Sequence, residues 1–156
     1  MRIKIMITVQ IIDNFRNMDF SRSKIEKLAR MVCRRFKLAD ATVSIAIVDN
    51  AQIRRVNAQF LNRKQNTDVI SFDLSDNDTN APPLFELVVN ADRAVEEAGR
   101  RGHSGEAELA LYITHGLLHN LGFDDSTEMQ AKKMHDTEDE ILRQSGFGLV
   151  YNKSNE

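Results

Sequence analysis

LALYITHGLLHNLGFDD, residues 109–125, is the stretch on which the reading of this chain turns. Leu109, Leu111, Tyr112, Ile113, Leu117, Leu118 and Leu121 place apolar side chains nearly all round one helix, the pattern of a helix buried inside a domain. His115 and His119 lie four residues apart, so they leave the same face one turn above the other. Gly122 is the residue type that most easily takes a left-handed helix stop, and a reversal there brings Asp125 back toward the two imidazoles. Two neutral imidazoles and one carboxylate bind Zn²⁺ and leave a fourth position open, the catalytic rather than the structural pattern. The expected cofactor is one zinc ion per chain, with His115, His119 and Asp125 as ligands. His135 stands in reserve for the third place.

The residue between the histidines limits the chemistry. A zincin peptidase carries Glu beside its first histidine as the general base, and this chain has Gly116 there. Peptidolysis by that route is poorly supported. Glycine at this place reads instead as room beside the metal for a bulky substrate. His103, in Gly102-His103-Ser104, reads as a surface loop residue, and His135, among Asp136, Glu138, Asp139 and Glu140, as a member of a surface ion pair.

Outward from the histidine helix, the pattern is one α+β domain. Ile3, Ile5, Ile7, Val9 and Ile11 alternate with mostly polar residues, as do Val43, Ile45 and Ile47. Thr67-Asp68-Val69-Ile70-Ser71-Phe72 begins a third strand and Phe85 to Asn90 forms a fourth, with an exposed Asp/Asn-rich loop from Ser75 to Pro83 between them. Ser23 and Glu26 read as a capping box opening a helix whose core stripe is Ile25, Leu28, Val32 and Phe36, and Asp49 or Asn50 caps a short helix. Further helices are expected at about 91–100, 105–121 and 127–144, the last two stopped by Gly122 and Gly146. Early strands and late helices predict a small mixed sheet of about four strands covered by about five helices, one of them the buried metal-bearing helix. The domain is expected over residues 1–150, with 151–156 as a frayed tail.

Composition narrows the setting. A chain of 156 residues with 42% hydrophobic content suffices for one domain with a substantial core. The single cysteine, Cys33, excludes an internal disulfide and suits a reducing compartment. Arg2 and Lys4 interrupt the apolar residues at the start, and no apolar run reaches the length of a membrane span. The expectation is a cytoplasmic monomer with no membrane partner. The net charge of −2 hides an asymmetry: residues 1–64 hold 14 Lys/Arg against 5 Asp/Glu, and residues 65–156 hold 7 against 18. A basic surface that meets a polyanion, with Arg30, Arg34 and Arg35 prominent in it, competes here with a solvated helix balanced elsewhere in the globule. Arg63 and Lys64 before the third strand, and Arg54 and Arg55 one helix earlier, are the candidates to reach phosphate oxygens. Thr67, Asp68 and Ser71 complete the candidate substrate-positioning cluster.

HGLLHNLGFDD together with TDVISF resembles the YbeY family, the metal-dependent endoribonucleases of bacterial rRNA maturation. The likeness extends to Asn57 and Phe60, the ELVVN strand, Glu108-Leu109 and the Glu138 to Leu142 end of the last helix. It implies an α+β domain, one zinc ion, and single-stranded RNA as substrate, chiefly the 3′ end of 16S rRNA, with a role in ribosome biogenesis and quality control. The implied partners are the small ribosomal subunit and, with it, a ribosomal protein. In that reading Arg63, or another loop cation, neutralises the phosphate, and Asp124 and Glu86 are the candidate general bases, with zinc hydroxide as the alternative to either. The chain departs from the family where its usual third histidine is Asp125, its usual arginine is Leu61, an aspartate of the fourth strand is Glu86 and the proline before TDV is Asn66. Two other functions compete: a non-catalytic ribosome assembly factor with a structural metal, and a metzincin-like peptidase.

Overall fold

The computed structural model describes residues 6–14, 18–63, 65–76 and 78–148. The elements in chain order are β1 (Met6–Asp13), α1 (Arg22–Arg35), β2 (Asp40–Val48), α2 (Asn50–Leu61), β3 (Val69–Asp73), β4 (Leu84–Asn90), α3 (Ala91–Arg101), α4 (Gly105–Asn120) and α5 (Glu128–Gln144). This is the expected α+β architecture of four strands and five helices among the described residues. The predicted strand positions at Ile3 and Ile5, and the tail at 151–156, lie outside those residues. Among the described residues no helix is long and apolar enough to cross a membrane.

The strands form one mixed sheet in the order β1-β2-β4-β3, with β1, β2 and β4 parallel and β3 antiparallel to β4. Alternation along each strand sends Val43, Ile45, Ile47, Leu87 and Val89 to the face covered by α1 and α4, with Met134, Ile141 and Leu142 of α5 in the same core. Val48, Ile70 and Val88 go to the other face, where Ile53 of α2 meets them and Phe72 joins. Ser71 and Phe72 therefore sit on opposite faces. β3 begins at Val69, two residues later than TDVISF suggested, because Thr67 and Asp68 belong to a loop tied into a side-chain network.

Most of α4 is buried, including Leu109, Ile113, Leu117 and Leu118, as its all-round apolar pattern requires. Gly116 corrects the sequence reading. It opens no room for substrate; it is buried against the sheet, and a Cβ there would come within 2.9 Å of Leu87 Cδ2 and Ser71 Oγ and 3.1 Å of Val69 Cγ2. Glycine lets α4 approach β3 and β4 closely enough for the Ser71 hydroxyl to donate to the Gly116 carbonyl at 2.9 Å. A second correction concerns α1, whose N-cap is Ser21 and not Ser23: Ser21 Oγ accepts from the Lys24 N–H, and the Ser21 N–H donates to Glu106 Oε2 of α4 at 2.7 Å. That long-range carboxylate sets where the helix begins. Asp49, by contrast, caps α2 in a full capping box with Gln52, one of the two expected positions.

Asn90, fully buried at the end of β4, joins the elements around the front of the sheet. Its side-chain oxygen caps α3 by accepting from the Arg93 N–H, and its amide nitrogen lies 2.8 Å from Asn50 Oδ1, 3.1 Å from Asn66 Oδ1 and 3.0 Å from the Thr67 carbonyl. Asn90→Ala is expected to cost roughly 2–4 kcal/mol in chemical denaturation, from a lost cap and stranded buried acceptors. Asn90→Asp keeps the cap but sets a buried carboxylate oxygen against three acceptor oxygens, so it should destabilise at least as much as Asn90→Ala. Equal stability of all three proteins would refute this account.

Candidate metal centre

α4 presents His115 and His119 at the C-terminal end of the buried helix, and Gly122 at φ 98° turns the chain back beneath them. Asp125 then meets both rings: its Oδ2 lies 3.7 Å from His115 Nε2 and 3.7 Å from His119 Nε2, and the two Nε2 atoms are 3.1 Å apart. Ligand atoms of the three residues lie within 4.8 Å of one another, the one such group of His, Cys, Asp and Glu among the described residues. His135 is not part of it.

The other ring nitrogens show how the centre is set. His115 Nδ1 is 3.0 Å from Glu138 Oε1, and His119 Nδ1 is 3.1 Å from the Phe123 carbonyl. A carbonyl only accepts, so His119 carries its proton on Nδ1; an ionised Glu138 imposes the same tautomer on His115. Both Nε2 lone pairs then face each other, an arrangement that repels unless a cation lies between them. Tetrahedral zinc with ligands at ~2.0–2.1 Å separates ligand atoms by about 3.3 Å, between the observed 3.1 and 3.7 Å. The donor set fits zinc.

Glu138 is the functional residue that the sequence reading missed. It is 1% exposed; its Oε1 also accepts from His135 Nδ1 at 3.2 Å, and its Oε2 is buried with no hydrogen-bond partner among the described residues. A buried carboxylate in that state needs positive charge nearby, which an imidazolium or a metal-bound imidazole supplies. The signal was present in α5: Met134, Glu138, Ile141 and Leu142 lie on one helical stripe, so Glu138 is an acid at a core position. His135 forms the expected ion pair, but half-buried and stacked on His115 with ring centroids 6.4 Å apart. His103 is no surface residue: its side chain is 7% exposed and pairs with the buried Glu108, which Arg101 also approaches at 3.6 Å.

Burial favours the neutral His115 ring, but the hydrogen bond and charge of Glu138 outweigh it, with Asp68 and Asp125 adding, and the His115 pKa is raised. A raised folded-state pKa means that the metal-free protein holds this stabilisation below the unfolded value and loses it as pH rises through the folded value. Zinc binding needs the ring unprotonated and runs the other way. Across that window, starting at about pH 6.5, the melting temperature of metal-free protein should fall while zinc affinity rises. Parallel slopes would contradict the assignment.

The triad opens into a cleft of about 470 Å³ walled by α2, the loop before β3 and β3 itself. Arg63, Thr67, Asp68 and Ser71 all line it, with Asn57, Leu61, Gln65 and Asn66. α2 ends at Asn62, whose left-handed φ of 52° turns the chain inward. Buried Asn57 secures the turn: its carbonyl accepts from the Arg63 N–H at 3.2 Å, and its amide donates to the Gln65 carbonyl at 2.8 Å. Arg54 and Arg55 are exposed on α2 and do not line the cleft. Lys64 lies outside the described residues. Asp124 is not brought in either: its carboxylate accepts from Ser126 Oγ and the Asp125 N–H, both at 2.8 Å, and faces another concavity with Lys133. Those bonds hold its pKa low, the reverse of what a general base near neutrality needs. The non-ligand carboxylate that lines the cleft is Asp68, with Oδ1 accepting from the Val69 N–H at 2.8 Å.

Fold and site together define a small α+β protein with a candidate metal-binding triad of two histidines and an aspartate at the end of a buried helix. Residues 10–146 match the family described as Endoribonuclease YbeY, and the chain belongs to that family. It is similar to the Endoribonuclease YbeY of Bacillus licheniformis, 35% identical over 135 residues that cover 80% of this chain and 85% of the relative. It is also similar to that of Macrococcus caseolyticus, 34% identical over 152 residues covering 92% and 97%. The solution structure of TM1509 from Thermotoga maritima shares the fold, with a TM-score of 0.56 and 21% identity over 88% of this chain and 91% of that one.

Proposed function

We propose that this chain is a zinc-dependent, single-strand-specific endoribonuclease of the cytoplasm. In this reading it trims the 3′ end of 16S rRNA and serves ribosome biogenesis and quality control. Its relatives carry the name endoribonuclease. The observation that carries the reading is the convergence of two Nε2 lone pairs and the Asp125 carboxylate at the floor of an open cleft. His115, His119 and Asp125 would hold the ion. Bound there, zinc supplies Lewis acidity toward a phosphoryl oxygen and lowers the pKa of a bound water.

The chain's own residues supply the rest. Arg63 neutralises the phosphate from the cleft wall, with Lys64 next to it in sequence, and Thr67 and Asn66 offer hydrogen bonds to the backbone or base edges. Asp68 takes the general-base role that Asp124 is badly placed for. A cleft of this size takes a short unpaired segment, which supports single-strand specificity. The protein acts as a monomer on the small ribosomal subunit, with a ribosomal protein as its partner there.

The test pairs metal content with cleavage. Purified protein should hold about one zinc per chain, cut single-stranded RNA internally, leave duplex intact and stop on chelation. Undiminished cutting after zinc removal would overturn the mechanism. Depletion in cells should lead to 16S rRNA with an extended 3′ end, and co-sedimentation with small subunits tests the partner.

A further inference from the structure

Beyond the cleft, the outer face of α1 carries a feature that the proposed chemistry leaves unused. Lys27, Arg30, Met31, Arg34 and Arg35 line a shallow groove of about 390 Å³ that contains no carboxylate. Residues 27, 30, 31 and 34 follow helical spacing on the side opposite the buried Ile25, Leu28, Ala29 and Val32; Lys27 and Arg34 are exposed, while Arg30 is half-buried with Nε donating to the Ile7 carbonyl at 3.3 Å and Met31 is half-buried against the edge of the core. Two of its cations are engaged: Arg30 with Glu26 at 3.7 Å and Arg35 with Glu140 at 3.0 Å. Lys27 and Arg34 are exposed and have no carboxylate partner among the described residues. Cations in a last helical turn complement the helix dipole, which accounts for Arg34 and Arg35 but not for Lys27 and Arg30 in the middle of α1.

The helix that carries the groove is tied to the metal loop at its C-terminal end. Phe36, the C-cap of α1, packs edge-to-face on Phe123 at 5.4 Å, and the Phe123 carbonyl is the group that orients His119. Lys133 approaches the same Phe123 ring at 5.8 Å. Between the cleft and α1 the surface therefore carries Lys133 alongside Asp124, and the C-terminal end of α1 is anchored to the loop that leads to Asp125. We propose that the α1 groove is a second docking site for the phosphate backbone of the RNA, holding the part of the strand that flanks the segment in the cleft. This inference rests on the endoribonuclease reading. Charge complementarity favours RNA over a protein partner, because Met31 is the groove's one apolar residue and a protein interface needs buried aromatic or aliphatic anchors.

The experiment compares wild type with the double variant Lys27→Gln/Arg34→Gln, both zinc-loaded, and both sites are on an exposed helix face away from the core. Binding is read by fluorescence anisotropy on a phosphorothioate RNA of about 20 nucleotides, and on a hexamer that spans only the cleft. Each phosphate contact adds about 0.7 to the salt slope for single strands, so two contacts make wild type lose about sevenfold more affinity than the variant between 50 and 200 mM salt on the long RNA. Hexamer binding and hexamer cleavage should be equal in the two proteins. An unchanged salt slope on the long RNA would overturn the proposal and leave the groove to another partner, such as an acidic protein face. Loss of hexamer cleavage in the variant would overturn it too, because the residues would then act at the cleft or on the fold. Absence of cleavage by wild type, with the slope difference intact, would sink the nuclease reading and leave the docking site standing.

Discussion

His119→Ala is expected to abolish zinc retention and reduce RNA cleavage to background while leaving the fold in place. His119 is one of the three proposed ligands, and its ring is held by a backbone carbonyl rather than by a core contact. Loss of an outer-shell partner typically costs about 10–100-fold in metal affinity, so loss of a ligand should exceed about 100-fold. Competition against a chromophoric zinc chelator reads this directly. Stability gives an independent readout: free zinc at 100 times Kd should stabilise wild type by about 2.7 kcal/mol, and the variant should gain almost nothing. Without zinc the variant should match wild type closely, because it removes the facing lone pair. A variant that still shows the full zinc-induced rise in melting temperature would rule out this ligand set.

Gly116→Ala is expected to destabilise the protein although alanine is the better helix former. Helix propensity favours the substitution by about 1 kcal/mol. Against it, the new methyl would sit 2.9 Å from Leu87 Cδ2 and Ser71 Oγ, and Leu87 is fully buried, with no space to move into. Overpacking of this kind costs about 1–3 kcal/mol, so with Leu87 unable to yield the net loss should reach up to about 2 kcal/mol, and each kcal/mol lowers the melting temperature by about 2–4 °C in a chain of this size. Pushing α4 off the sheet also moves His115 relative to Asp125, so zinc affinity should weaken together with stability. Adding Ser71→Ala removes one of the two closest atoms and should recover part of both. If Gly116→Ala slowed cleavage with stability and zinc affinity unchanged, the glycine would be serving substrate access instead of packing.

These two residues show what could be read from the sequence and what could not. Helical spacing is a local property, so His115 and His119 were identifiable as a pair, Gly122 as the stop and Asp125 as the returning carboxylate. The all-round apolar pattern of residues 109–121 was enough to bury the helix, and strand alternation was enough to give the sheet and its faces. The error at Gly116 arose because a glycine in a helix looks the same whether it makes room for a ligand or for a neighbouring strand. Ser21 rather than Ser23 caps α1 because its N–H is held by Glu106, a carboxylate 85 residues away that local sequence does not reveal. Asp124 is adjacent to Asp125 in the chain, but the turn after Gly122 that brings Asp125 to the imidazoles leaves Asp124 bonded to Ser126 and outside the cleft.

The sequence by itself determined the fold class, the family likeness and the three residues that converge on the metal position, because each depends on periodicity or on spacing within one short segment. The tertiary structure decided which side chains orient that centre and wall its cleft. Glu138 reaches His115 from 23 residues away on another helix, and Asp68 and Arg63 reach the cleft from the far side of the sheet's edge strand. The α5 stripe marks Glu138 as an acid at a core position, and Arg63 and Asp68 are legible as candidates, but which partner each one faces follows from how the helices pack on the sheet.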